Sequence, residues 1–412
     1  MLSCGTPLVT ERIPGVRSVG ITWLIPAGTA TDPDALEGLS TMWNELLMRG
    51  AGALDSRAQA DAFDRVGMSR GAEAGTFYMR LSGMLLAEHL ERGLSLLADM
   101  ALRPRFDEAS VEPARDLCLQ AIDALADDPQ ERASLLLRAR HNPSPINRSG
   151  LGTVDGLRAI TRADLTDGWA ARSRPGGSIL ALAGDVDHDR VGAMMERLLN
   201  GWTGRAEPVR WGDAPLRGTA HHEPDSSNQS QIVLCHDAPS DRHPDADLER
   251  VLLTVLSGGS SSRLFSEVRE KRGLCYSVAA SYASERDYGR MVAYVGTTPE
   301  RAQQSLDVLW EQLRLFAGGT PGGGGGRVEP DEFARAMVGL RSRLVFSGES
   351  SATRASALAT DLHRRGEARS LAEIAASLER VTLGALNAYA ARRATGPVTL
   401  VTLGPGSLTS PF

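Results

Sequence analysis

Lysine is nearly absent from this chain. Lys271 is the only one among 45 basic residues, and the rest are arginine. That bias fits an arginine-rich codon usage and carries no function by itself. Cysteine is scarce too. Cys4, Cys118, Cys235 and Cys275 are scattered, with no C-x-x-C pair. This excludes a disulfide framework and a dithiol redox motif, and fits buried thiols in a reducing compartment. No stretch approaches roughly 18 apolar residues, so no membrane span is expected. Residues 1–15 lack a basic segment followed by a long apolar run, so no signal peptide is expected and a cytoplasmic location is the default. An excess of positive charge is also missing. The net charge of −6 gives no reason to expect nucleic-acid binding. What remains, 42% hydrophobic and 23% charged residues over 412 positions, is the composition of a soluble globular protein with a large core.

What is present is a duplication. In the first half an apolar run, Val19 to Ile25, precedes Thr31-Asp32-Pro33-Asp34-Ala35-Leu36-Glu37 at a helix opening. In the second half Gln231 to Cys235 precedes His243-Pro244-Asp245-Ala246-Asp247-Leu248-Glu249. Asp and Pro at such openings suit capping and first-turn positions. The ends match as well. A Thr-capped helix from Thr161 through Arg172 leads to a strand from Ser178 to Asp185. A second from Thr382 through Arg392 leads to a strand from Pro397 to Gly404. Between the matched ends, apolar residues at helical spacing predict helices over Leu90–Met100, Val111–Leu125, Ala302–Leu315 and Asp331–Leu344. These patterns predict an α+β fold of two homologous domains, 1–205 and 231–412. Each would be a mainly antiparallel sheet with helices packed on one face. Residues 206–230 are rich in Gly, Pro, Asp and Arg without apolar periodicity, and read as a linker.

Two further features have plain readings. The glycine run Gly322–Gly326 lacks the Lys-Ser/Thr of a phosphate-binding loop and reads as a flexible surface loop. His221-His222, the only adjacent histidine pair, falls in the linker stretch and reads as solvated. His89 and His141 are isolated and read as surface or core-edge residues.

The segment from Gly38 to Gly50, GLSTMWNELLMRG, has the outline of a helix ending at a glycine. It resembles the zinc helix of the pitrilysin/insulinase-type peptidases, the inverzincins, which carry H-x-x-E-H. On that frame the first His position holds Thr41, the catalytic Glu position Asn44 and the second His position Glu45. The family's third ligand is a Glu within a stretch resembling E-R-x-R-x-V-V-L-E-E-I. The corresponding stretch here, Glu112 to Ile122, places Ala121 at that ligand position, with Gln120 beside it. A catalytic zinc needs three protein ligands and an open position for water. Glu45 is the only strong donor of the four, so no metal is expected on this chain.

The second half keeps another part of the family pattern. Ser262 to Val278, SRLFSEVREKRGLCYSV, resembles S-R-L-F-x-x-x-R-E-x-x-G-L-x-Y-x-V. In the family its Arg and Tyr bind substrate backbone and stabilise the oxyanion. Here they are Arg269 and Tyr276, the candidate catalytic pair. The alternative is structural: Arg269 paired with a carboxylate on its own helix, and Tyr276 an ordinary sheet aromatic. The family's non-zinc processing subunit has a Gly-rich loop, but before the stretch matching Ser262–Phe265, so Gly322–Gly326 is not at its position.

The resemblance covers nearly the whole chain and is closest to the bacterial relatives of mitochondrial processing peptidase. It implies a clam-shell dimer around a chamber. It also implies a homologous partner that carries H-x-x-E-H and the zinc, with an unfolded peptide as substrate and Arg269 and Tyr276 acting in trans. Two other roles stay open: a scaffold like the zinc-less core proteins of the respiratory cytochrome complex, and a peptide-binding module without cleavage.

Overall fold

The computed structural model of the chain describes residues 1–412. The first half runs β1 (Leu8–Arg12), β2 (Ser18–Ile25), α1 (Leu39–Leu46), β3 (Gly50–Ala51), β4 (Leu54–Asp55), α2 (Ser56–Arg65), β5 (Ser69–Ala74) and β6 (Met79–Leu86). It continues through α3 (Leu90–Leu102), α4 (Glu108–Asp123), α5 (Pro129–His141), α6 (Val154–Ala159), α7 (Arg162–Arg172), β7 (Ile179–Gly184) and α8 (His188–Leu198). The second half follows with β8 (Ala220–Pro224), β9 (Ser230–Ala238), α9 (Ala246–Ser257), β10 (Ser277–Ser284), β11 (Gly289–Thr297) and α10 (Ala302–Arg314). It ends with α11 (Pro330–Gly348), α12 (Ser351–Arg365), α13 (Leu371–Glu379), α14 (Leu383–Arg392) and β12 (Thr399–Gly404). No helix is long and apolar enough to cross a membrane.

The duplication is visible in the sheets. The first has strand order β1-β7-β2-β6-β5 and the second β8-β12-β9-β11-β10. In each, the first strand lies parallel to the last, and every other pairing is antiparallel. The matched helix openings hold as well. Thr161 caps α7 in a reciprocal box with Asp164, and Thr382 caps α14. The α+β class is as the sequence predicts.

Two features differ from the linear reading. The stretch 206–230, expected as a linker, contains β8, an edge strand paired with β12. Its alternation is too polar to read as a strand because an edge strand is only half covered. The compact units also do not follow chain order. One comprises Met1–Ala124, Ser144–Gly212 and Ser347–Ser370; the other comprises Leu125–Pro143, Asp213–Phe346 and Leu371–Phe412. Thus α5 belongs with the second sheet and α12 with the first.

The reason lies in the central strands. β7 and β12 are buried at every position, and β2 and β9 at nearly every one. Such strands need apolar cover on both faces. On one face of the first sheet sits the main core, with Trp23, Trp43 and Phe63 at its centre. On the other, Ala355, Leu358 and Ala359 of α12 pack on Leu24, Ile179, Ala181 and Ala183. Gly20 permits the approach, because a Cβ there would lie 2.3 Å from the Ser351 carbonyl oxygen. Arg354, 1% exposed, anchors α12 through a bidentate pair with Glu11 on β1. In the second unit Ala133 and Leu137 of α5 cover Val233, Cys235, Val401 and Leu403. The expected packing of helices on one face is therefore incomplete: each sheet carries one more helix on its second face.

A buried ion pair ties α9 to the turn before β12. Glu249, 0% exposed, accepts from Arg393 at 2.6 and 2.7 Å and from the Tyr389 hydroxyl at 2.7 Å. Removing Arg393 would strand a buried carboxylate. Arg393→Met is expected to destabilise this unit by about 3–5 kcal/mol in urea unfolding, and the double variant with Glu249→Gln to recover part of that loss. An unchanged unfolding midpoint for Arg393→Met would show that the pair is not needed.

Candidate functional site

α1 persists for reasons unrelated to metal. Leu39, Met42, Trp43 and Leu46 form its buried stripe. The Trp43 indole donates to the Leu165 carbonyl at 3.0 Å and meets Trp169 edge-on at 5.4 Å. The opposite stripe carries Thr41, Asn44 and Glu45, each half-buried. Thr41 donates its hydroxyl to the Gly150 carbonyl at 3.0 Å. Asn44 reaches Glu45 only at 3.5 Å, and its own side-chain oxygen is buried without a partner. Glu45 lies 4.0 Å from Arg49.

α4 packs against α1, as the resemblance implies for the helix of the third ligand. Ala121 is exposed on it. One turn earlier, buried Cys118 senses Glu45, Arg115 and Arg49. Burial, then the charge of Glu45, pushes its thiol up to about 11. Cys118 is the residue of this face that the sequence reading passed over. Its signal was its place three residues before Ala121 on the same helix. A hydroxyl, an amide, one carboxylate and a methyl do not make a zinc donor set, and no three His, Cys, Asp or Glu side chains converge anywhere in the fold. The residues at the four frame positions do not fit the metal.

In the second unit Arg269 lies on a π-helical turn, Phe265–Glu270, in which the Lys271 N–H bonds to the Ser266 carbonyl. Its guanidinium rests over the Phe265 ring at 4.8 Å. No carboxylate pairs with it. Glu267, the candidate on its own turn, is taken by Lys271 and by Arg272 at 2.7 Å. Arg263 of the same motif is structural, gripping Glu332 through two bonds of 2.6 Å. Tyr276 precedes the edge strand β10. Its backbone N–H bonds to Gly296, while its side chain is 66% exposed. Arg269 and Tyr276 are thus neither ion-paired nor packed in the sheet.

Two family models meet on this chain. One, described as insulinase (peptidase family M16), matches residues 8–153; the other, described as peptidase M16 inactive domain, matches residues 159–337. The chain belongs to the M16 peptidase family. It is 28% identical over 400 residues to a protein of Mycobacterium leprae named an uncharacterized zinc protease, which spans 94% of this chain and 86% of that one. It is 25% identical over 407 residues to YmxG of Bacillus subtilis, also named an uncharacterized zinc protease, with 97% and 96% covered. A solved peptidase M16 inactive domain from Pseudomonas fluorescens has a TM-score of 0.85 at 21% identity over 100% of this chain and 98% of that chain. A protease structure from Helicobacter pylori has a TM-score of 0.85 at 18% identity, with 98% of each chain covered. At these identities the structures establish a shared fold.

Other candidates of the M16 chain find structural uses. His221 and His222, expected as solvated linker residues, lie on β8, where they bond to Glu223 at 3.3 Å and Thr402 at 3.0 Å. His141, expected at the surface or the core edge, is buried and bonded to Thr399 at 2.9 Å. The glycine run is no open loop. The N–H groups of Gly323, Gly324 and Gly326 bond to the carbonyls of Thr320, Arg314 and Leu315, closing the C-terminal end of α10.

The start of α1 is held by Asp32, which is buried and accepts from the Gly38 N–H at 3.0 Å and from the Ser40 N–H and hydroxyl at 3.1 and 3.0 Å. Burial raises its carboxyl from 3.8 to about 6, against the pull of those donors and of Arg148. The folded chain therefore holds this proton more tightly than the unfolded one. The stability from Asp32 is full below about 4 and is lost as pH rises through about 6. Asp32→Asn is expected to remove that slope. The stability gap between variant and wild type, read by urea unfolding, should move in the variant's favour between about pH 4 and about pH 7. A constant gap would mean that Asp32 is already ionised at the acid end.

Proposed function

We propose that this M16 chain is the zinc-less subunit of a heterodimeric metallopeptidase. One asymmetry carries the reading. The α1–α4 face has no metal donor set, whereas Arg269 and Tyr276 stand exposed with no carboxylate partner. Membership of the M16 family and the relatives named zinc proteases support it. A homologous partner would carry H-x-x-E-H and supply the zinc and its activated water.

This chain's part is binding and charge stabilisation. The Arg269 guanidinium offers several fixed donors, which suits the carbonyl oxygens of an extended peptide. Stacking on Phe265 restricts its freedom and lowers the entropy cost of that contact. The Tyr276 hydroxyl is a neutral donor. Placed at the scissile carbonyl, its bond strengthens as negative charge develops on the oxygen. The substrate is an unfolded peptide, laid as an added strand along a sheet edge, for which β10 beside Tyr276 is a candidate.

The purified chain is expected to bind no stoichiometric zinc by metal analysis and to cleave no unfolded peptide alone. Mixed with an H-x-x-E-H partner co-purified from its native host, it should restore cleavage. Tyr276→Phe or Arg269→Ala should then lower the rate by about 10²–10³. Full activity with either variant would sink the donor role and leave the chain as a scaffold.

A further inference from the structure

In the second unit a cavity of ≈70 Å³ lies between the end of α9 and the first half of α11. Gly258, Gly259, Ser261 and Ser262 form one wall, and Glu332, Arg335 and Gly339 of α11 the other. Gly258 keeps the turn tight against α9, since a Cβ there would lie 2.3 Å from the Thr254 carbonyl oxygen. Gly339 leaves the space open, because a Cβ there would meet nothing within 4 Å.

The first wall is built of donors that the fold does not use. Ser262 is only 8% exposed, yet its hydroxyl has no hydrogen-bond partner in the protein. The backbone N–H groups of Gly258 and Gly259 are unbonded as α9 ends. The Ser261 hydroxyl is exposed and free. Across the cavity the one carboxylate is already occupied. Both Glu332 oxygens accept from Arg263 at 2.6 Å, and one accepts from the Glu329 N–H at 2.9 Å as well. Against its burial, those bonds and then the charges of Arg263 and Arg335 hold the Glu332 carboxyl below its usual range. Arg335 thus meets Glu332 through space alone. It is exposed at the cavity and all of its donors are free. Arg263 does not line the cavity, but it cancels Glu332, so the charge of Arg335 is left over.

We propose that this cavity binds a phosphate-sized oxyanion. Arg335 would pair with it, and the Ser262 hydroxyl and the N–H groups of Gly258 and Gly259 would supply further donors. A wall of donors beside one unbonded guanidinium selects an anion over a neutral ligand. Successive free N–H groups in a turn favour the same choice, and the guanidinium fork matches phosphate oxygens in pairs. The volume sets the size, since it is about twice a water's share of the liquid. That suits an oxyanion and excludes a nucleoside. A free ion and the head of a phosphorylated side chain share this chemistry. The proposal does not rest on the peptidase reading, since neither Arg269 nor Tyr276 lines the cavity.

The test titrates the intact chain by calorimetry at fixed ionic strength with inorganic phosphate. A pentapeptide with a central phosphoserine is titrated beside its unphosphorylated form. Saturable binding of phosphate or of the phosphopeptide is expected, without binding of the unphosphorylated peptide. Tighter binding of the phosphopeptide would assign the site to a phosphorylated chain; equal or tighter binding of phosphate would assign it to the free ion. Arg335→Gln should weaken binding about 10–100-fold, and Ser262→Ala about 3–10-fold. Gly339→Leu should block it by filling the open space with every donor in place. Thermal melts establish that each variant is folded. No saturable binding of either phosphate at millimolar concentration would overturn the proposal. So would equal binding of the unphosphorylated peptide, or undiminished binding by any of the three folded variants.

Discussion

Everything in this fold depends on the burial of the central strands on both faces. β2, β7, β9 and β12 have almost no polar side, so a sheet with helices on one face alone would leave apolar surface in water. At roughly 25 cal/mol for each Å² so exposed, that is a large fraction of a domain's stability. The remedy is an exchange: α5, from the first half of the sequence, covers the second sheet, and α12, from the second half, covers the first. Each exchanged helix is fixed by polar contacts as well as apolar ones. Arg354 grips Glu11, and His141 meets Thr399. In this fold each half of the duplicated sequence thus supplies the cover for the second face of the other half's sheet.

The same logic explains why α1 keeps its place in the fold without relying on a metal. A structural metal site contributes folding energy outright, but a helix packed through an indole and an aliphatic stripe does not need it. α1 is held by Trp43, Met42 and Leu46, and its first turn by Asp32. The stripe with Thr41, Asn44 and Glu45 carries none of that load, so its residues could change without loss of the helix. Its counterpart in the duplication, α9, has gone the other way. Val251, Leu252, Leu253, Val255 and Leu256 are all buried. The half-open polar face of α1 is therefore a property of the first unit and not of the repeated motif.

Much of this was legible in the sequence. The central strands are continuous apolar runs, and Thr161 and Thr382 mark helix starts that the structure retains. The positions Thr41, Asn44, Glu45 and Ala121 followed from the resemblance to the inverzincin motifs. What sequence could not give is which partner each group chooses. An amphipathic helix announces an apolar face but not the sheet it will cover, so the exchange of α5 and α12 was hidden. The strand β8 was hidden because its residues are polar. Spacing alone left Glu267 available to Arg269; only the fold shows Glu267 committed to Lys271 and Arg272. The pairing of Arg138 with Arg290 around one cavity is likewise a product of the exchange, since it requires α5 to lie on the second sheet.

The scarcity of lysine then gains a physical consequence. A desolvated ammonium can shed its proton and become a neutral amine, whereas a guanidinium remains charged when buried. Arg393 is nearly inaccessible and remains a cation beside Glu249. Arg138 is pushed down by burial and by Arg290, yet an arginine has too far to fall to lose its charge near neutral pH. In this chain a buried basic residue is a permanent one, and its charge must be matched by a carboxylate. Glu249 provides that match for Arg393 and Glu11 for Arg354. Arg269 meets no carboxylate and is instead left in solvent over an aromatic ring.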